Sequence, residues 1–191
     1  MPNTQPATLW NSLEITKLFL GFLTPVVVAI GGYVVTKSMR KLEARLLVSQ
    51  KVVERRLELF DKMAPLLNDL YSYFNQVGQW KELTPPALVA NKRTLDKLFY
   101  VNKPLFSEPF EAKYFGFILN DCFKAYGGHG TNARLRCSYE PYQSLAGWEK
   151  EWVMYFVEHA QDRCEANKFA ADYEALMRQF AVEIGIVQKS R

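Results

Sequence analysis

Chemistry-bearing residues are scarce in this chain. There are two histidines, His129 and His159, and neither stands in HExxH or another metal-ligating spacing. Neither has an arginine a few residues before it, as a helical RNA-cleaving domain of the HEPN type would require. The three cysteines, Cys122, Cys137 and Cys164, are odd in number and widely spaced. That fits neither a disulfide framework nor a zinc site, and leaves reduced thiols in a cytosolic domain as the expectation. Glu111-Ala112-Lys113 resembles a fragment of a nuclease motif but lacks the preceding strand and acidic partner. With no nucleophile–base set, no metal set and no cofactor motif, enzymatic activity, metals and cofactors are not expected. A large excess of charge is also missing. The net charge is +4, and the basic excess does not lie on the body of the chain, so nucleic acid is not an expected partner.

What is present is one long uncharged run. Lys17 and Lys37 bracket "LFLGFLTPVVVAIGGYVVT", Leu18 to Thr36. As a helix it spans roughly 28 Å, close to the hydrocarbon thickness of a bilayer. Trp10 and Tyr33 lie near its ends, where aromatic rings favour the membrane interface. The segment before it lacks the basic start of a signal peptide, and no convincing cleavage site follows. "PVVVAIGGYVV" is rich in residues that make poor helices in water and are tolerated in lipid. Lys37, Arg40, Lys41 and Arg45 open a basic flank just after the run, continued by Lys51, Arg55 and Arg56. Positive flanks stay in the cytosol, so the N-terminus is expected outside and the C-terminal part inside. The same flank suits anionic headgroups.

The run is uneven around its circumference. Gly21, Thr24, Val28, Gly32 and Val35 share one helical face and are small or compact. Phe19, Phe22, Val26, Ile30 and Tyr33 lie opposite and are mostly bulky. Small faces let membrane helices approach closely, so a homo-oligomer is expected.

From Leu42 to Phe74 apolar residues recur at helical steps (Leu42, Leu46, Val53, Leu57, Phe60, Ala64, Leu67, Tyr71, Phe74), with Ser49 weakening the seam. The first half reads as a stalk and the second, from Leu57, as core. Pro65 marks a kink or a new helix, and Gly78 a C-cap. Further helices are expected from the cap pair Thr84-Pro85 to Pro104, from Ser107 to Gly127-Gly128, from Leu145 to His159, and from Ala166 to Ile184. No sustained period-two run of Val and Ile occurs outside the apolar segment. The expected fold is therefore all-α, with a transmembrane helix, a long amphipathic helix and a compact helical domain. Its parts are an external tail (1–12), the span (13–36), a basic juxtamembrane helix (37–64) and a cytosolic domain (65–191).

"GGHGTNARLRCSYEPY" is the longest irregular stretch. Its glycines permit close backbone approach, and Arg134 and Arg136 carry charges suited to phosphate or carboxylate. His129, Arg134 and Arg136 are thus the candidate contacts for a small anionic ligand.

"LTPVVVAIGGYVVTKSMRKLE", "QKVVERRLELFDKMAPLLNDLYSYF" and "GQWKELTPP", in that order, resemble a group of uncharacterised bacterial single-span inner-membrane proteins with a C-terminal cytosolic helical domain. The resemblance implies a bacterial inner-membrane setting and brings no activity with it. The expected function is a self-associating, membrane-anchored interaction protein whose partners are the bilayer, other copies, and an unidentified protein or small anion. The rival expectation, by analogy with small antiphage membrane proteins, is an oligomeric pore gated by the cytosolic domain.

Overall fold

The computed structural model describes residues 12–125 and 133–187. The chain divides into two compact units, Met1–Gln50 and Lys51–Arg191. Helix α1 (Ser12–Asn75) contributes to both.

In the first unit the described apolar side chains are not packed against other residues. Val27, Val28, Ile30, Val34 and Val35 are all more than half exposed, and the full turn of residues 27–30 is exposed on every side. A Cβ added at Gly21 or Gly32 would meet no atom within 4 Å, so the small-residue face is open. The side chain of Thr24, placed on that face by the sequence, lies outside the described residues. Thr36 Oγ1 donates to Gly32 O at 2.8 Å within the helix. Among the described residues no helix is long and apolar enough to cross a membrane. Within the run, that statement leaves aside Leu18, Phe19, Leu20, Phe22, Thr24, Pro25 and Val26, whose side chains are not described.

The second unit is mostly helical and holds the core. On α1 the buried row is Leu59, Met63, Leu67, Leu70 and Tyr73, at steps of four and three that keep one face inward. The expected stripe sits to one side of this row. Phe60, Tyr71 and Phe74 only edge the core, where they meet Phe180, Tyr173 and Phe169 at ring distances of 5.1, 4.3 and 4.6 Å. Leu42, Leu46, Val53 and Leu57 are exposed. Pro65 does not restart the helix, since α1 runs unbroken through it. It stands on the exposed side, where water can reach the carbonyl four residues earlier that has lost its donor. Gly78 is not the cap either. Gln76 takes the left-handed position with φ 55°, and Val77 N donates to Ser72 O at 3.0 Å. Together with Gln76 N to Tyr73 O at 3.3 Å, this is a Schellman closure.

Helix α2 (Pro85–Asn102) starts as the sequence predicts, with Thr84 Oγ1 accepting from Ala87 N and proline at the first position. Helix α3 (Glu108–Phe115) is shorter than expected. Gly116–Cys122 widens into a π turn, and the chain then becomes a strand. Phe117, Ile118, Asp121 and Cys122 of this wider turn are all buried, on a narrower arc than an α-helix would give them. Gly127 and Gly128, the expected stop, lie outside the described residues. Ser107 occupies the N-cap position of α3, yet its hydroxyl donates to Glu183 Oε1 instead of capping.

β1 (Phe123–Ala125) and β2 (Ala133–Leu135) form an antiparallel ribbon in the register Phe123↔Leu135. It is the one two-stranded sheet among the described residues. The helix expected from Leu145 to His159 is not formed as an α-helix: Gly147 has φ +86°, a short 3₁₀ helix covers Lys150–Tyr155, and extended Phe156 bridges Leu135 in parallel. Strand-like pairing to β2 (Val157 N to Leu135 O, 3.0 Å) replaces helical hydrogen bonds there. Three aromatic rings of that segment still meet, with Trp148 5.5 Å from Trp152 and 6.0 Å from Phe156. Helix α4 (Ala166–Glu183) closes the core with Phe169, Leu176 and Phe180.

Phe180 is fully buried and its ring lies 4.7 Å from that of Phe110. Phe180→Ala is expected to lower stability by about 4 kcal/mol. Thr84→Ala, at a long cap bond, is expected to lower it by about 0.5 kcal/mol. Urea unfolding followed by tryptophan emission measures both.

Candidate functional site

The structure places the two described candidates for anion binding, Arg134 and Arg136, beside in-chain acceptors; His129 lies outside the described residues. Arg134 stands in β2 opposite Lys124, and its guanidinium pairs with the Glu158 carboxylate. The hydrogen bond and charge of Arg134 hold the Glu158 carboxyl below its ordinary range. One residue past β2, Arg136 donates to Asp162 O at 2.9 Å, and Lys124 Nζ lies 2.6 Å from Asp162 Oδ2. These contacts stitch the ribbon to the segment 158–162. An incoming anion would compete with carboxylates and a carbonyl already in place.

A second grouping was not read from the sequence. Asp121, at the end of the π turn, is fully buried. Its Oδ1 accepts from Lys168 Nζ and, at 3.5 Å, from Cys164 Sγ. Its Oδ2 has no hydrogen-bond partner among the described residues. Lys168 reaches one turn further along α4 to Asp172 Oδ2 at 2.6 Å. Burial pushes the Asp121 carboxyl up, against the pull of the Lys168 hydrogen bond. The same lysine holds Asp172 down, and its own pKa rises through both bonds. Two carboxyls are thus driven apart around one ammonium. The signals were faint: Lys168 and Asp172 stand at i and i+4, and Asp121 is an acid inside "FGFILNDCF".

The thiols are chemically quiet. Burial pushes Cys137 and Cys164 up to about 12, and Cys122 well above its ordinary value. At neutral pH each stays protonated, the weakly nucleophilic form.

A third feature is a cavity of about 200 Å³ between the end of α1 and the segment 142–152. Its walls include Tyr73, Tyr142, Trp148 and Trp152. Tyr73 and Tyr142 stack at 4.2 Å with rings parallel to within 1°, and Tyr142 Oη donates to Tyr73 O at 2.8 Å. Those partners are 69 positions apart in sequence, which is why the cavity was not foreseen.

The fold defines a helical unit with an aromatic core at the end of a long helix. No family model, curated protein or solved structure matches the chain.

Removing the cation from Asp121 gives a test with a sign. Lys168→Met leaves a raised, buried carboxyl that must ionise as pH rises. A raised group is stabilising below its unfolded pKa, about 3.9, and loses that contribution as pH climbs through the folded value. The variant is expected to lose stability relative to the natural chain between mildly acidic and neutral pH. The loss should reach about 2 kcal/mol at neutrality, less than for a fully buried pair because Lys168 is half exposed. Asp121→Asn combined with Lys168→Met should flatten the profile. Urea unfolding across pH measures it.

Proposed function

We propose that the chain is a single-pass membrane-anchored interaction protein, with its N-terminus outside and the unit Lys51–Arg191 in the cytosol. The observation that carries this reading is the first part of α1. Its described apolar side chains are exposed on every side, from Leu23 through Val35, and a helix apolar all round needs a surrounding of its own polarity. Lipid supplies that without further chains. The flank supports the same reading. Lys37, Arg40, Lys41 and Arg45 are exposed directly after the run. Lys37 Nζ lies 5.8 Å from the Tyr33 ring centroid, an aromatic–basic pair suited to the headgroup level. The bacterial inner membrane is the setting this reading takes from the resemblance of its sequence.

Self-association is part of the proposal. Gly21, Gly32 and Val35 are exposed, and the glycines leave room for a close backbone approach. The pore alternative needs such an assembly too and differs in letting ions through.

A reporter active only in the cytosol, fused after Arg191, should be active. Replacing Lys37, Arg40, Lys41 and Arg45 with glutamine should divide the population between two orientations. An inactive reporter in the natural chain contradicts the proposal. Gly32→Leu is expected to shift oligomers to monomers in mild detergent while the protein stays in the membrane. Liposomes loaded with dye should remain intact on reconstitution, and leakage that Gly32→Leu abolishes would favour the pore.

A further inference from the structure

The aromatic cavity lies wholly within the unit Lys51–Arg191, so what it binds does not depend on how α1 meets the membrane. Its inner walls are rings. Trp148 and Trp152 meet edge to face at 79°, and the stacked pair Tyr73 and Tyr142 is almost fully buried. Leu83 and Pro85 add aliphatic surface from the start of α2. The Tyr73 ring, stacked on Tyr142, closes the floor of the cavity.

The outer part is charged with both signs. Lys81 and Glu82, adjacent in a single tight turn, line the cavity and are exposed. The Lys81 ammonium rests 5.7 Å from the Trp80 ring centroid. The Glu82 carboxylate has no ion pair among the described residues. A ligand with a single charge would meet one favourable and one unfavourable neighbour. A zwitterion meets two favourable ones, its ammonium at Glu82 and its carboxylate at Lys81.

Size narrows the class. A volume of about 200 Å³ is below the range that holds nucleotides and larger cofactors. It suits one ring-bearing or branched apolar body, held by aromatic faces.

We propose that this cavity binds a free amino acid with an aromatic or branched apolar side chain. The side chain lies among Tyr142, Trp148 and Trp152, and the charged backbone groups face Glu82 and Lys81. This gives the anchored module a small-molecule input.

The test uses the full chain in nanodiscs, with L-phenylalanine and L-leucine as probes. Binding is read by the emission of Trp148 and Trp152 and by equilibrium dialysis. Saturable binding of at least one probe is expected. 2-Phenylethylamine and 3-phenylpropanoate, each lacking one charge, should bind about tenfold more weakly than L-phenylalanine. Glu82→Gln and Lys81→Gln change exposed side chains, so both should fold and lose a similar factor. The proposal is overturned if neither probe binds saturably, if the single-charge analogues bind as well as L-phenylalanine, or if both variants keep the natural affinity.

Discussion

One helix has to satisfy two surroundings, and the rest of the structure follows from that. Toward its C-terminal end α1 carries a row from Leu59 to Tyr73 that is removed from water by its own domain. Toward its N-terminal end it carries apolar side chains, from Leu23 to Val35, that none of the described residues covers. Burial of apolar surface is the main favourable term in folding, and the same term makes uncovered surface demand a partner. The core of Lys51–Arg191 is the answer given at one end. The proposed bilayer is the answer at the other.

The buried half of α1 works because three other pieces bring rings to it. Phe169 and Phe180 come from α4, and Phe99 from α2 stacks 4.3 Å from Tyr114 of α3. Polar ties then fix the pieces in place. Arg56 NH1 donates to Glu183 O at 2.9 Å, and its other amino group lies 3.2 Å from Glu183 Oε2. Glu183 in turn accepts from Ser107, so α1, the start of α3 and the end of α4 meet at one carboxylate. Such a partly buried, multiply bonded carboxylate adds geometry more than net energy.

Much of this was legible where the signal is local. Thr84-Pro85 marks the start of α2 because cap chemistry acts within one turn, and α4 was legible because Phe169, Tyr173, Leu176 and Phe180 repeat at helical steps. What escaped was decided by distant partners. Nothing near Leu145–His159 forbids a helix, but Leu135 offers Phe156 and Val157 strand-like pairing. Likewise "FGFILNDCF" has helical spacing, yet the core takes four of its side chains inward and widens the turn. Arg134 and Arg136 looked like free charges because Glu158 and Asp162 lie more than twenty residues away in sequence. The Asp121 grouping and the aromatic cavity escaped for the same reason, since they join residues 47 and 69 positions apart.

The central claim is that the uncovered part of α1 sits in lipid. Alkaline carbonate extraction of membranes from cells producing the full chain tests it most directly. The account predicts that the protein stays in the membrane pellet after the wash, as an integral protein does. Recovery in the supernatant, with the folded domain intact, would contradict it.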